Sequence, residues 1–362
     1  MDFALTIFCV LLFCCYKKFS YNKASNKYIT YISIALVLFS GLRHETVGND
    51  TINYINMFDS VKFESWDNLT FDFMSRYFNQ SSNQEKDPGY PVFVKLTQFL
   101  IYDARTYLFL VAILYFTSLG IFVKKHTSSL QEILFFYVFY INLFNGYVPN
   151  SAVRQTIAIS FVLFAYTNLQ KQNYKYYFAL IFLASFFHKS ALICLLVFPL
   201  NHIKNFDKAY YMGIPLFLLA LTSVNRFASI FLTGNDVYNS YLTGNYYGDT
   251  GKPIVVLILM SGLYLIGILG VRKDESLKDN KIFYIGSILS LLFSTLIWVN
   301  PSLIRLMTYF GPLMGIAIGA SFNRIKKGRT ILIAVILIFL VSSIRNVDNY
   351  HFMWEKRSEE LK

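Results

Sequence analysis

The sequence is poor in charge and in cysteine. Only 15% of its 362 residues are Asp, Glu, Lys or Arg, against about 25% in soluble domains. With 55% of residues hydrophobic, this scarcity excludes a soluble globular enzyme, a disordered chain and a DNA-binding domain. Cys9, Cys14, Cys15 and Cys194 all lie in apolar stretches without metal-ligand spacing. They give neither a disulfide framework nor a zinc site. There is no nucleotide-binding glycine fingerprint, no P-loop and no His-Glu-x-x-His. What the chain has is apolar length. Its mean hydropathy is +0.44, and Phe and Tyr number 36 and 27. This composition points to an all-α integral membrane protein with aromatic lipid-facing and interfacial surfaces.

Apolar segments run over 3–16, 28–42, 106–123, 130–148, 151–170, 176–200, 209–224, 253–271, 281–299, 302–322 and 330–345. Several approach the ~20 residues that cross a bilayer core. The first is short, but Asp2 precedes it and Lys17 and Lys18 follow it, the reverse of a signal peptide, so it is expected to be a retained span. Loops 17–27, 124–129, 171–175, 201–208, 272–281 and 323–329 hold 18 Lys and Arg and few acids. Loops 43–105 and 225–252, the C-terminal tail counted from Arg345, and Asp2 together hold 12 Lys and Arg against 16 acids. By the positive-inside rule the basic set is cytoplasmic. The net charge of +12 is then a topology signal, and no nucleic acid is expected as a partner. Segment 176–200 must begin and end on the cytoplasmic side, so a re-entrant hairpin is expected with its turn near His188. Backbone that is not helical at such depth must line protein or a water-filled cavity. About ten transmembrane helices plus this hairpin, with both termini outside, complete the expected topology.

The region 43–105 is the longest outside the membrane and is rich in rings: Tyr54, Phe58, Phe63, Trp66, Phe71, Phe73, Tyr77, Phe78 and Tyr90. Ile52, Ile55, Met57 and Phe58 predict one amphipathic helix. Val92, Phe93, Leu96, Phe99 and Leu100 predict another, with Pro91 at its first position. Short amphipathic helices on the outer membrane surface are expected here. The rings suit sugar binding and interfacial anchoring equally.

Arg154, Lys189 and Arg305 lie inside apolar segments. A charge near the bilayer centre costs about 2.5–3.5 kcal/mol on insertion scales, so each is a functional candidate. Pro149-Asn150-Ser151 precedes Arg154 and Asn300-Pro301-Ser302 precedes Arg305. Taking each Ser as an N-cap puts each Arg at N3, one turn into an outward-facing helix start. A cation there opposes the macrodipole. An anion such as a diphosphate, bound to the helix start and the guanidiniums, is one compensation. Pairing with an external carboxylate such as Asp50 or Asp87 is the other. His188, beside Lys189 at the expected turn, is a candidate general base or a satisfied polar group. Glu85-Lys86-Asp87 is a weak candidate for holding a metal.

Several short motifs occur together. They are Arg43 with Gly48-Asn49-Asp50-Thr51, Tyr54 and Phe58; Asp87-Pro88-Gly89-Tyr90; Val153-Arg154-Gln155 with Ala158; Phe187-His188-Lys189-Ser190-Ala191; and Arg305 with Tyr309. In this order they resemble the signature of the EpsG-like family of Wzy-type polymerases of O-antigen, capsule and exopolysaccharide. The resemblance implies a GT-C-like membrane glycosyltransferase of the bacterial cytoplasmic membrane with its active site on the outer, periplasmic side. It would transfer a growing glycan from undecaprenyl diphosphate to the sugar of an incoming undecaprenyl-diphosphate-linked oligosaccharide. By resemblance, Arg154, Arg305 and Arg43 would bind the donor diphosphate, and Gln155, Tyr54, Asp87, Tyr90 and Tyr309 would bind substrate. His188 or Asp50 would be the base. No cofactor and no metal are expected. Membrane lipids, a chain-length regulator and a flippase are the partners such an enzyme implies.

Three other classes compete. A lipid-linked oligosaccharide flippase also needs cations in a cavity, but midplane sites and inverted repeats are common in transporters, and only the Ser-x-x-Arg pair repeats here. A metal-dependent glycosyltransferase using a polyprenyl monophosphate sugar would place Glu85 and Asp87 on the metal. A membrane O-acyltransferase would also use a membrane His.

Overall fold

The computed structural model describes residues 1–71, 73–78, 87–146, 148–204, 206–232, 254–274, 277–345 and 350–355. These are helical, with no strand beyond one isolated bridge. The chain divides into two compact units: Met1–Leu192 with Ala334–Lys362, and Ile193–Ile333.

In the first unit, α1 (Asp2–Tyr16) packs on α8 (Leu130–Leu143), and α2 (Tyr21–Gly41) packs on α7 (Ala104–His126). Helix α9 (Val153–Gln170) lies against α7 and α10 (Tyr174–Phe187). Local chemistry sets several of these starts. Asp103 accepts from the Thr106 N–H at 2.8 Å and caps α7. Ser129 accepts from the Glu132 N–H and caps α8, while the Glu132 carboxylate reaches back to the Ser128 N–H at 2.7 Å. This is close to a capping box.

The region 43–105 carries α3 (Thr51–Val61), α4 (Trp66–Thr70), α5 (Phe73–Phe78) and α6 (Gly89–Thr97). Helix α3 buries Thr51, Tyr54, Phe58 and Val61 at helical spacing and turns Ile52 outward. Helix α6 starts two residues earlier than its Pro suggests: Gly89 leads, and Pro91 falls inside the first turn, where no intrahelical N–H is needed. It ends at Thr97, before Phe99 and Leu100. Glu85 and Lys86 lie outside the described residues.

The apolar segment 176–200 is broken. Helix α10 stops at Phe187, His188 is extended (φ −156°, ψ 108°), and a 3₁₀ helix follows over Lys189–Leu196, then α11 (Val197–Leu200).

The second unit holds α12 (Phe206–Tyr211), α13 (Gly213–Leu232), α14 (Ile254–Val271) and α15 (Leu277–Ser294). The apolar segment 302–322 is not one helix. A 3₁₀ turn over Pro301–Leu303 and the short α16 (Ile304–Met307) precede α17 (Gly311–Arg324), with a 65° bend between. Pro312 in the first turn of α17 cannot continue a preceding helix. Within this unit a buried Asp274 accepts from Arg324 Nη1 at 3.1 Å and from the Tyr284 hydroxyl at 3.1 Å. Helix α18 spans Gly328–Arg345.

Among the described residues, three helical stretches are long and apolar enough to cross a membrane: Ala104–His126, Ile254–Val271 and Asp279–Trp298. The bent pair Pro301–Met307 and Gly311–Arg324 makes a fourth when taken as one span.

Candidate functional site

Asp87 is the centre of the site. It stands one residue before the Pro88 cap of α6, and the Tyr90 N–H closes a turn onto its carbonyl at 3.0 Å. Gly89 is essential to its position. A Cβ there would sit 2.7 Å from Phe186 Cβ and 3.0 Å from the Phe186 carbonyl oxygen. Only glycine lets the start of α6 lie this close to the last turn of α10. Asp87 is thereby delivered to His188, which follows that turn.

The Asp87 carboxylate is 4% exposed and fully engaged. Oδ2 meets Arg154 Nη1 at 3.1 Å and His188 Nδ1 at 3.3 Å. Oδ1 accepts the Lys189 N–H at 3.0 Å. Burial raises the Asp87 pKa, but the His188 hydrogen bond and charge, then Arg154 and the Lys189 N–H, outweigh it and hold the carboxyl below its usual value of 3.8. It is ionised throughout the neutral range. A neutral His188 donates Nδ1–H to it, which leaves Nε2 as an acceptor. Arg154 and His188 keep side-chain exposures of 31% and 28%. The site is therefore a buried anion holding two half-exposed groups, a cation and an imidazole.

Lys189 also turns its head inward. Nζ donates to the Tyr77 carbonyl at 2.9 Å and sits 5.4 Å from the centre of that ring. The Tyr77 and Ser185 hydroxyls are 2.7 Å apart. The sequence places Tyr77 only among the outer-loop rings that suit sugar binding or interfacial anchoring, because nothing local marks a residue whose partners lie about 110 positions away.

The expected caps are not the ones used. Ser151 Oγ donates to the Gly146 carbonyl, the N-cap of α9 is Ala152, and Arg154 is the second helical residue. At the other arginine, Asn300 is the cap: its Oδ1 accepts the Ser302 N–H at 2.8 Å, with Pro301 leading a 3₁₀ turn. Pro301 suits a first helical position, which shifts the cap to Asn300. The two Ser-x-x-Arg stretches therefore differ in local structure. Arg305 and Tyr309 belong to the second unit, Arg305 partly exposed and Tyr309 buried. Of the alternatives weighed for Arg154, the carboxylate partner is present, and it is Asp87.

Tyr90 and Gln155 are buried, as is Tyr54, whose ring meets Tyr90 edge-on at 5.7 Å. Arg154 acts electrostatically on the Tyr90 phenol. Asp50 is the half-buried N-cap of α3 without a capping bond from its side chain.

Arg43 is 5% exposed. Nη1 donates to the Ser40 carbonyl and Nε to Thr51 Oγ1 at 3.4 Å; Nη2 finds no partner among the described residues. Burial pulls its pKa down to about 10, so it stays charged at neutral pH. Residues 350–355 lie over it. Arg43 pairs with Phe352 in an antiparallel bridge, the His44 N–H donates to the His351 carbonyl, and the Met353 N–H donates to the Leu42 carbonyl.

Thr51 Oγ1 also lies 2.7 Å from the Val47 carbonyl and 3.0 Å from that of Asn150, which ties the loop after α2 to the loop before Arg154. Gly48 makes this possible. Its φ is +89°, and a Cβ would fall 1.8 Å from the Asn150 carbonyl oxygen. Gly48→Ala is expected to cost well over about 1 kcal/mol and to lower the melting temperature of the purified protein. An unchanged melting temperature would show that this loop contact does not hold the site.

A family model described as the EpsG family matches residues 26–355. The chain belongs to the EpsG family. No curated protein and no solved structure matches it. The match includes Arg43, Asp87, Arg154, His188 and Arg305. EpsG membership and the apolar helices make this a membrane protein of the polysaccharide-polymerase type.

Proposed function

We propose that this EpsG-family chain joins undecaprenyl-diphosphate-linked oligosaccharide repeat units on the outer face of the bacterial cytoplasmic membrane. The observation that carries the proposal is the Arg154–Asp87–His188 arrangement. A buried carboxylate fixes a cation and an imidazole side by side, and both keep an open side. The acceptor hydroxyl oxygen attacks the anomeric carbon of the donor glycan. The bond from that carbon to the diphosphate oxygen breaks. The hydroxyl proton goes to His188 Nε2, and undecaprenyl diphosphate leaves as an anion held by Arg154. The lipid diphosphate is already activated, so no nucleotide sugar or redox cofactor enters the reaction. Asp87 is a positioning residue here. A metal bound to Asp87 would displace Arg154 and His188, which weighs against the metal-dependent alternative. For Arg305, Tyr309 and a diphosphate role of Arg43, the support is the family resemblance.

A topology of about ten spans in a GT-C-like arrangement fits this reaction. It needs α1, α2, α8, α9, α13 and α18 as spans as well; at 1.5 Å per residue α2 is about 32 Å long, enough for a core of ~30 Å, and α9 about 27 Å. The break at His188 is the feature expected of a re-entrant segment. The pairing of Phe352 with Arg43 favours a C-terminal tail on the outer side.

The test is a gene deletion complemented with wild type or Arg154→Ala, with surface glycan read on a gel and membrane protein level checked. Transfer by Arg154→Ala is expected to fall about 10²–10³-fold, the loss typical of one fixed donor on a developing anion, and the ladder to shrink to single repeats. Lipid-linked units trapped inside the cell would support a flippase instead. A full-length glycan lacking acyl groups would support an acyltransferase.

A further inference from the structure

A second feature of the first unit lies away from Asp87. Helices α2 and α7 are packed together, and along their junction runs an open trough of about 780 Å³. Ile29, Ile34 and Val37 form one wall, and Phe109, Ile113 and Ile121 the other. Ile34, Ile113 and Ile121 are exposed, so the trough is open to its surroundings. From Asn26 to Leu38, both on its lining, is about 18 Å at 1.5 Å per residue. That exceeds the ~15 Å hydrocarbon depth of one leaflet, half of a core of ~30 Å.

One end is cationic. Lys124 and Lys125 line it together. Lys124 Nζ donates to Ser25 Oγ and lies 4.7 Å from the centre of the Tyr21 ring. Among the described residues neither lysine forms an ion pair. Lys171 adds a third positive charge near Lys125. An apolar trough ending in cations without carboxylates complements one kind of molecule, an anionic head on an aliphatic chain. Basic pockets between membrane helices on the cytoplasmic side bind anionic lipid heads.

We propose that the α2–α7 trough binds one anionic phospholipid, its phosphate on Lys124 and Lys125 and an acyl chain along Ile29, Val37 and Ile113. The cytoplasmic leaflet follows from the charge asymmetry of the loops. The substrate's own prenyl chain is not the occupant. Its diphosphate belongs at Arg154, which lies about 26 Å from Lys171 along α9 at 1.5 Å per residue, at the far end from the lysines. Binding here goes beyond the polymerase reaction and is measured without it.

The experiment uses the purified full-length protein in detergent, with phosphatidylglycerol or phosphatidylcholine of the same acyl chains added, and lipid retention read by native mass spectrometry. Wild type is expected to retain one phosphatidylglycerol in preference to phosphatidylcholine. Lys124→Gln with Lys125→Gln is expected to weaken retention about tenfold or more. Thr117→Trp, which fills the trough and leaves the lysines intact, is expected to do the same. Equal retention of both lipids by wild type overturns the proposal. So does phosphatidylglycerol retention that survives both sets of changes. Displacement of phosphatidylglycerol by undecaprenyl phosphate at equal concentration would assign the trough to the substrate lipid instead. None of these outcomes depends on the glycan ladder, so a failed trough leaves the polymerase proposal standing, and the reverse.

Discussion

Cells carrying His188→Gln are expected to lose long surface glycan and keep single repeats, with transfer down about 10²–10⁴-fold, the range for removing a positioned general base. Glutamine is the informative replacement. Its amide still donates to Asp87, so the carboxylate that also holds Arg154 and the Lys189 N–H keeps a partner in place of His188. Its volume is close to that of histidine, so the end of α10 and the following 3₁₀ turn keep their packing. What it lacks is a nitrogen that takes up a proton. A defect in His188→Gln at normal membrane level therefore reports on proton transfer rather than on folding. The check is the glycan ladder beside an immunoblot of the membrane fraction. A ladder of wild-type length would remove His188 as the base. Asp50→Asn is the variant to make next, since Asp50 is the other base candidate and lies half-buried at the start of α3.

Much of this site was legible as residues, and little of it as geometry. His188 and Arg154 stand out because a polar group in an apolar run must answer for its cost. Asp87-Pro88-Gly89-Tyr90 stands out as a motif. That Asp87 and His188 meet depends on Gly89 seating against Phe186, a contact between segments about 100 residues apart. No local pattern encodes it. The caps failed for a related reason. A serine before an apolar run is a good N-cap on average, but Ser151 is drawn to the Gly146 carbonyl and Asn300 outcompetes Ser302. The resemblance gives Arg43 a phosphate role; that residues 350–355 pair beside it is invisible in the sequence, since a bridge linking positions 43 and 352 lies beyond any window of periodicity. The helical class, by contrast, follows directly from apolar length and scarce charge, because a bilayer admits few other ways to satisfy a backbone.

Asp87→Asn tests whether the carboxylate acts through charge. Asparagine fills the same space and still accepts the His188 Nδ1–H or the Lys189 N–H. It leaves Arg154 without its anion, and it leaves His188 without the negative neighbour that stabilises an imidazolium as the acceptor proton arrives. Loss of an orienting carboxylate in histidine-based catalysis costs up to about 10⁴-fold, so a fall of about 10³–10⁴ in transfer is expected. Folding is the rival explanation, since stripping one partner from a buried ion pair costs about 3–5 kcal/mol. Two further variants separate them. Asp87→Glu restores the charge and is expected to recover part of the activity that Asp87→Asn loses. Asp87→Asn combined with His188→Gln is expected to be hardly worse than Asp87→Asn alone, because residues that work as one unit are lost together. Full multiplication of the two single effects, with the protein at normal membrane level, would mean that Asp87 does not act through His188. The anion would then serve Arg154 alone, and proton transfer would need another acceptor on the open side of the site.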